Sequence, residues 1–132
     1  MWPINQAFAN SFEFDIPRAF FTSKMLKNEP ANEVLVLENN IKNLYFFSEV
    51  NNMQNKTVFH QWEYRGKKMF EEKFKVLTKS EKLISKYELD PAKTGEWMVI
   101  ITDDRGWPIK ATIFKYVKKG SFAGKGILSI KH

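Results

Sequence analysis

Thr57-Val58-Phe59-His60-Gln61-Trp62-Glu63-Tyr64-Arg65-Gly66-Lys67-Lys68-Met69-Phe70-Glu71-Glu72-Lys73-Phe74-Lys75-Val76 is the stretch that decides the fold. Val58, His60, Trp62 and Tyr64 fall on one side and Phe59, Gln61 and Glu63 on the other, the period of two that a strand's alternating side chains require. Arg65-Gly66 interrupts the pattern, and Phe70, Phe74 and Val76 then resume it in step. Two alternating runs joined across a tight, Gly-containing turn read as a β-hairpin.

The same reading extends in both directions. Leu44–Val50 is aromatic and apolar on both faces, which suits an interior strand with material packed on each side, and the polar stretch Asn51–Lys56 is a surface loop. Ser11–Thr22 places Phe12, Phe14, Ile16, Arg18 and Phe20 on one face and Glu13, Asp15, Pro17, Ala19 and Phe21 on the other, a first strand whose proline suits an edge or bulge. Asn28–Asn32 is a turn by composition, and Glu33–Leu37 reads either as a short buried strand or as a helical turn. Towards the C-terminus, Leu83, Ser85 and Tyr87 alternate with Lys82, Ile84 and Lys86, Asp90–Gly95 is a loop, and Glu96–Thr102 is a central strand. Asp103-Asp104-Arg105-Gly106 is a hairpin turn, and Ile109–Val117 returns from it. Seven or eight short strands at this spacing predict an all-β fold, an antiparallel β-sandwich of immunoglobulin-like type. With no repeat, low-complexity tract or linker, residues 1–132 read as one domain.

Composition supports that reading and narrows the chemistry. The 132 residues are 43% hydrophobic and 15% aromatic, enough for a single core. The net charge of +6 resides entirely in a basic C-terminal segment, residues 110–132, where Lys110, Lys115, Lys118, Lys119, Lys125 and Lys131 stand without one acid. No stretch approaches the roughly 18–20 apolar residues of a membrane-spanning helix. The absence of cysteine excludes a disulfide, a thiolate zinc site and a cysteine nucleophile. Ala7-Phe8-Ala9 has the small-x-small form of a signal-peptidase site, but the six residues before it carry no basic side chain, so it reads as a plain leader into the first strand.

Catalytic constellations fail on parts. A Ser-His-Asp arrangement would have to be built on His60, whose same-face neighbours Val58 and Trp62 instead suggest a hydrogen-bonded core or rim histidine. Glu71 and Glu72 are adjacent in a strand and point to opposite faces, and Asp103-Asp104 carries ordinary turn chemistry without the Asp/Asn series of a calcium loop. Gly120-Ser121-Phe122-Ala123-Gly124-Lys125-Gly126 is one residue short of a phosphate loop and ends in Gly where Ser or Thr should bind magnesium. No cofactor and no metal site is therefore expected. The candidate ligand-binding residues are His60, Trp62, Glu96, Trp97 and Trp107, with Trp107, beside Pro108, the best placed to be exposed.

The order Arg18-Ala19-x-Phe21-Thr22, Glu29-Pro30, Leu44 to Val50, Val58-x-His60-x-Trp62-x-Tyr64-x-Gly66, Ser85-Lys86 and Gly95-Glu96-Trp97-x-Val99 through Asp103 resembles the bacterial domain of unknown function 2914 over residues 16–108. The chain departs from that family's paired serines before the lysine, having Ile84-Ser85. The resemblance implies an all-β module whose parent chains often carry a signal sequence or membrane segments, hence a periplasmic or envelope-associated setting. It supplies no catalytic residue.

The leading expectation is a non-enzymatic interaction or accessory module of the bacterial cell envelope, meeting a protein or glycan partner through an exposed sheet face or loop end. The second is nucleic-acid or anionic-surface binding through the lysines of residues 110–132, where Phe114, Tyr116 and Phe122 interleave with the cations. Peripheral membrane contact through those lysines belongs to the same class. The third is a small-ligand or enzymatic site around His60, with Glu63, Glu96 or Tyr45 converging on it.

Overall fold

A computed structural model describes residues 15–121 and 127–131. Its strands are β1 (Asp15–Thr22), β2 (Met25–Leu26), β3 (Glu29–Pro30), β4 (Asn32–Glu38), β5 (Asn43–Asn51), β6 (Thr57–Tyr64), β7 (Lys67–Lys75), β8 (Ser80–Glu88), β9 (Gly95–Asp103), β10 (Pro108–Val117) and β11 (Ile127–Lys131). The fold is all-β and mostly antiparallel, and each of the eight candidate strand segments in the sequence forms a strand. Ser11–Phe14, at the start of the first of them, and Ala7-Phe8-Ala9 lie outside the described residues. The turn expected at Asn28–Asn32 is instead part of a small hairpin, β2–β3, whose corner is Lys27 at φ 60°.

The main sheet follows the order β7-β6-β9-β10-β4-β1-β5-β8, with β11 added on β4. It curls until it is nearly barrel-shaped, so that β6 faces β5 and β8 across the core in the manner of a sandwich. The β10–β4 pair is parallel, with Lys115, Tyr116 and Val117 beside Val36, Leu37 and Glu38. β4 is irregular in its pairing with β11. Leu128 pairs with Val36 and Ser129 with Val34, so Leu35 is left over as a bulge. The extra residue reverses the alternation, which lets Val34 and Leu37 both reach the core while Leu35 stays exposed. That reversal is the reason Glu33–Leu37 did not resolve into strand or helix from its pattern.

Phe21 sits at the centre of the core. Its ring meets Phe46, Trp62 and Phe114 edge-on at centroid distances of 4.9, 5.6 and 4.6 Å, so it touches strands β5, β6 and β10 together. Outside, Arg18 joins the β2–β3 hairpin to the wall. Its Nε donates to Glu49 (2.8 Å), its Nη1 and Nη2 donate to the two carboxylate oxygens of Glu29 (2.9 and 3.1 Å), and its guanidinium lies over the Phe47 ring. Lys82 pairs with Glu29 as well. These bonds from Arg18 and Lys82 hold the Glu29 carboxyl down at about 2.

Truncating Phe21 to Ala should cost about 3–5 kcal/mol in urea denaturation, because the cavity opens against three rings. Leu35→Ala, at the outward bulge, should cost under about 1 kcal/mol. Equal losses at the two positions would contradict the assigned facing of β1 and β4.

Candidate functional site

Alternation in β6 sends Val58, His60 and Trp62 into the core, and the pairing of β5 with β8 sends Ser48 and Ser85 in from the opposite wall. His60 Nε2 lies 2.9 Å from Ser48 Oγ, and Nδ1 lies 2.8 Å from Ser85 Oγ. The indole N–H of Trp62 donates to the same Ser85 oxygen at 3.0 Å. A neutral imidazole has one donor and one acceptor nitrogen, and a hydroxyl can serve either, so both ring nitrogens are satisfied without a charge. Phe46 and Phe74 pack on the ring at centroid distances of 4.9 and 4.7 Å. Burial pushes the His60 imidazole down to about 3, which keeps it neutral at physiological pH. Across β6–β7 the register partner of His60 is Glu72, whose carboxyl is raised by burial, but the two serines already occupy the ring.

A general base must reach solvent or substrate, and His60 reaches neither. Trp62 and Trp97 are also fully buried, Trp97 with its ring N–H on the Lys93 carbonyl at 2.9 Å. His60, Trp62 and Trp97 thus fill the core and do not line an open cleft. Glu96 is on the outer surface, beside a shallow hollow of about 260 Å³ shared with Glu63, Arg65 and Met98. Trp107 stands apart from all four, 65% exposed at the β9–β10 turn. The structure therefore does not gather the five candidates into one site. Tyr45, the other residue considered alongside His60, faces outward under Lys86.

A groove of about 400 Å³ opens at the end of the barrel next to that turn, floored by Met53 and lined by Asn55, Lys56, Thr57, Lys75, Asp104 and Arg105. Asp103 shapes its rim. Burial raises the Asp103 carboxyl, but the N–H groups of Trp107 and Arg105, each donating to Oδ1 at 2.9 Å, and the Arg105 charge outweigh it and leave the group below the usual carboxylate range. The backbone of Trp107 closes on Asp103 in return, with Asp103 N–H donating to its carbonyl at 3.0 Å. Loop and turn meet here because Val58 pairs with Asp103 across β6–β9. Sequence reasoning missed the groove, since each half carries only ordinary loop or turn residues and the pairing that joins them has no local signal.

Lys110, Lys115, Lys118 and Lys119 are exposed, and Lys125 lies outside the described residues. Lys131 belongs to β11, opposite Asn32. The turn that follows β10 is fastened by buried Glu38, which accepts from Gly120 N–H at 2.9 Å, and by Asn39, which accepts from Lys119 N–H at 2.9 Å. Among the described residues no group of three His, Asp or Glu is placed to hold a metal ion, and no helix is long and apolar enough to cross a membrane.

Residues 55–116 match the family described as protein of unknown function (DUF2914). The matched stretch runs from β6 into β10, so it contains His60, Trp62, Ser85 and the Asp103–Trp107 turn, while Ser48 and the strands β1 to β5 lie before it. No curated protein matches the chain. Among solved structures, a β-glucosidase from Kluyveromyces marxianus is similar at 12% identity and a TM-score of 0.45, over 89% of this chain and 15% of that enzyme's. A likeness this distant bears on neither fold nor function.

The buried histidine sets a pH dependence. Folded His60 holds no proton until about pH 3, while in the unfolded chain it takes one near 6.5, so the unfolded state gains protons as pH falls between these values. Stability should drop by about 1.4 kcal/mol per pH unit below 6.5. Denaturant titrations at pH 6.5 and 5.5, above both the folded and the unfolded values of Glu29, should show this fall in the wild type and a flatter dependence in His60→Gln.

Proposed function

We propose that this chain is a non-enzymatic binding module of the bacterial cell envelope that takes a protein or glycan partner at the loop end of the barrel. The observation that carries the reading is Trp107, an indole left 65% exposed on a turn fixed by Asp103, beside a polar groove of about 400 Å³. A large ring presented to water on a turn whose backbone is fixed suits the anchor of a recognition surface, and it can stack on a sugar face or a partner side chain. Carboxylate, guanidinium, amide and hydroxyl groups lining the groove supply donors and acceptors that fix orientation. The burial of His60, with both ring nitrogens occupied, supports binding over catalysis and speaks against a small-ligand site around that residue.

The lysines of β10 and its following turn support the alternative, contact with nucleic acid or an anionic surface. They carry point charges without the bidentate forks of arginine, and Lys118 and Lys119 sit on a turn already fastened to Glu38 and Asn39.

Cosedimentation with purified peptidoglycan and with washed envelope membranes tests the proposal. The wild type should pellet with one of them, and Trp107→Ala should weaken retention at least tenfold with an unchanged melting temperature. Retention that ignores Trp107 but vanishes at high salt would favour the lysine surface, and no retention on either material would reject the envelope reading.

A further inference from the structure

The main sheet ends at β7 on one side and β8 on the other, and among the described residues no strand pairing joins them. They are nonetheless neighbours, with Phe70 of β7 stacked on Tyr87 of β8 at 5.4 Å and 17°. Each strand is nine residues long and pairs along one edge, β7 with β6 and β8 with β5. The opposite edges therefore present main-chain N–H and C=O groups with no ladder partner. Side chains at this seam are less covered than elsewhere. Phe70, Glu72 and Phe74 of β7 are half-buried, whereas their β6 partners Trp62, His60 and Val58 are fully buried. Leu77, at the connection between the two strands, is 71% exposed.

Charge completes the picture. Residues 67–88 carry seven lysines and four glutamates, a net +3. Lys73 and Lys79 are exposed beside the seam. Edges of like charge repel one another, so pairing between two copies of this chain is disfavoured here.

We propose that the β7–β8 seam is a strand-docking site for an extended acidic segment of a partner protein. The segment adds its main chain to the free edge of β8, sets alternate apolar side chains against Tyr87, Phe70, Phe74 and Leu77, and points its carboxylates at Lys73 and Lys79. Main-chain pairing gives the affinity, and the aromatic seam with its lysine rim gives the preference for acidic, alternating sequences. This inference is independent of the loop-end groove, and Trp107 has no part in it.

Selection of random dodecamer peptides against the full chain, followed by hydrogen exchange of the complex, tests it. Enriched peptides should be acidic with apolar residues at every second position, and they should slow exchange of amides in Leu83–Tyr87. Lys73→Glu with Lys79→Glu should weaken their binding about tenfold. Leu77→Ser should also weaken it, and both variants should melt like the wild type because these side chains are exposed. Trp107→Ala should leave peptide binding unchanged. Failure to enrich any peptide, enrichment of basic sequences, or protection confined to other strands would overturn the proposal.

Discussion

A sheet whose end strands do not pair must be closed by its side chains, and in this protein the closure centres on His60. The ring extends from β6 to Ser48 on β5 and Ser85 on β8, and so spans the core between strands at opposite ends of the sheet path. Trp62 reinforces the link through Ser85, and Phe46, Phe74, Phe70 and Tyr87 surround it with ring contacts. An apolar residue at position 60 could fill the space but could not satisfy two serines. A hydroxyl left unpaired in the core costs about 1–3 kcal/mol. The histidine is therefore bound to its partners by the expense of leaving them unpaired.

This constraint also bears on His60 itself. A histidine used as a neutral core linker, with both nitrogens engaged, is unavailable for proton transfer at the surface. The two proposed recognition surfaces accordingly lie away from this interior, at the barrel's end and along the unpaired β7–β8 edges. The basic C-terminal segment, which carries the whole of the net charge, is integrated into the barrel: β10 lies between β9 and β4, and β11 adds to β4. Lys110, Lys115, Lys118 and Lys119 are exposed on β10 and the turn that follows it.

Much of the fold was legible in the sequence because alternation reports which face of a strand is buried. The reading of Val58, His60, Trp62 and Tyr64 as one face placed the first three correctly in the core, and Leu44–Val50 and Glu96–Thr102 are interior strands as their two-sided apolarity implied. Alternation does not report which strands are neighbours. The parallel β10–β4 pair, the near-barrel closure and the groove between the Asn55 loop and the Asp103 turn depend on pairings between distant segments, so none had a local signature. The histidine's partners had a faint one. Ser48 shares its parity with Leu44, Phe46 and Val50, and Ser85 with Leu83 and Tyr87, and a hydroxyl on a core-facing parity implies a buried polar partner. Single-residue defects such as the Leu35 bulge erase the pattern where they occur, and two-residue strands such as β2 and β3 are too short to establish one.

His60 bridges the walls of the barrel as a neutral core group bonded through both ring nitrogens. This role is tested most directly by the ring-nitrogen chemical shifts of His60 in long-range proton–nitrogen NMR spectra between pH 8 and pH 4. One neutral tautomer is expected, with shifts that stay constant down to pH 4. A titration with a midpoint near 6.5, the value of an exposed histidine, would contradict it.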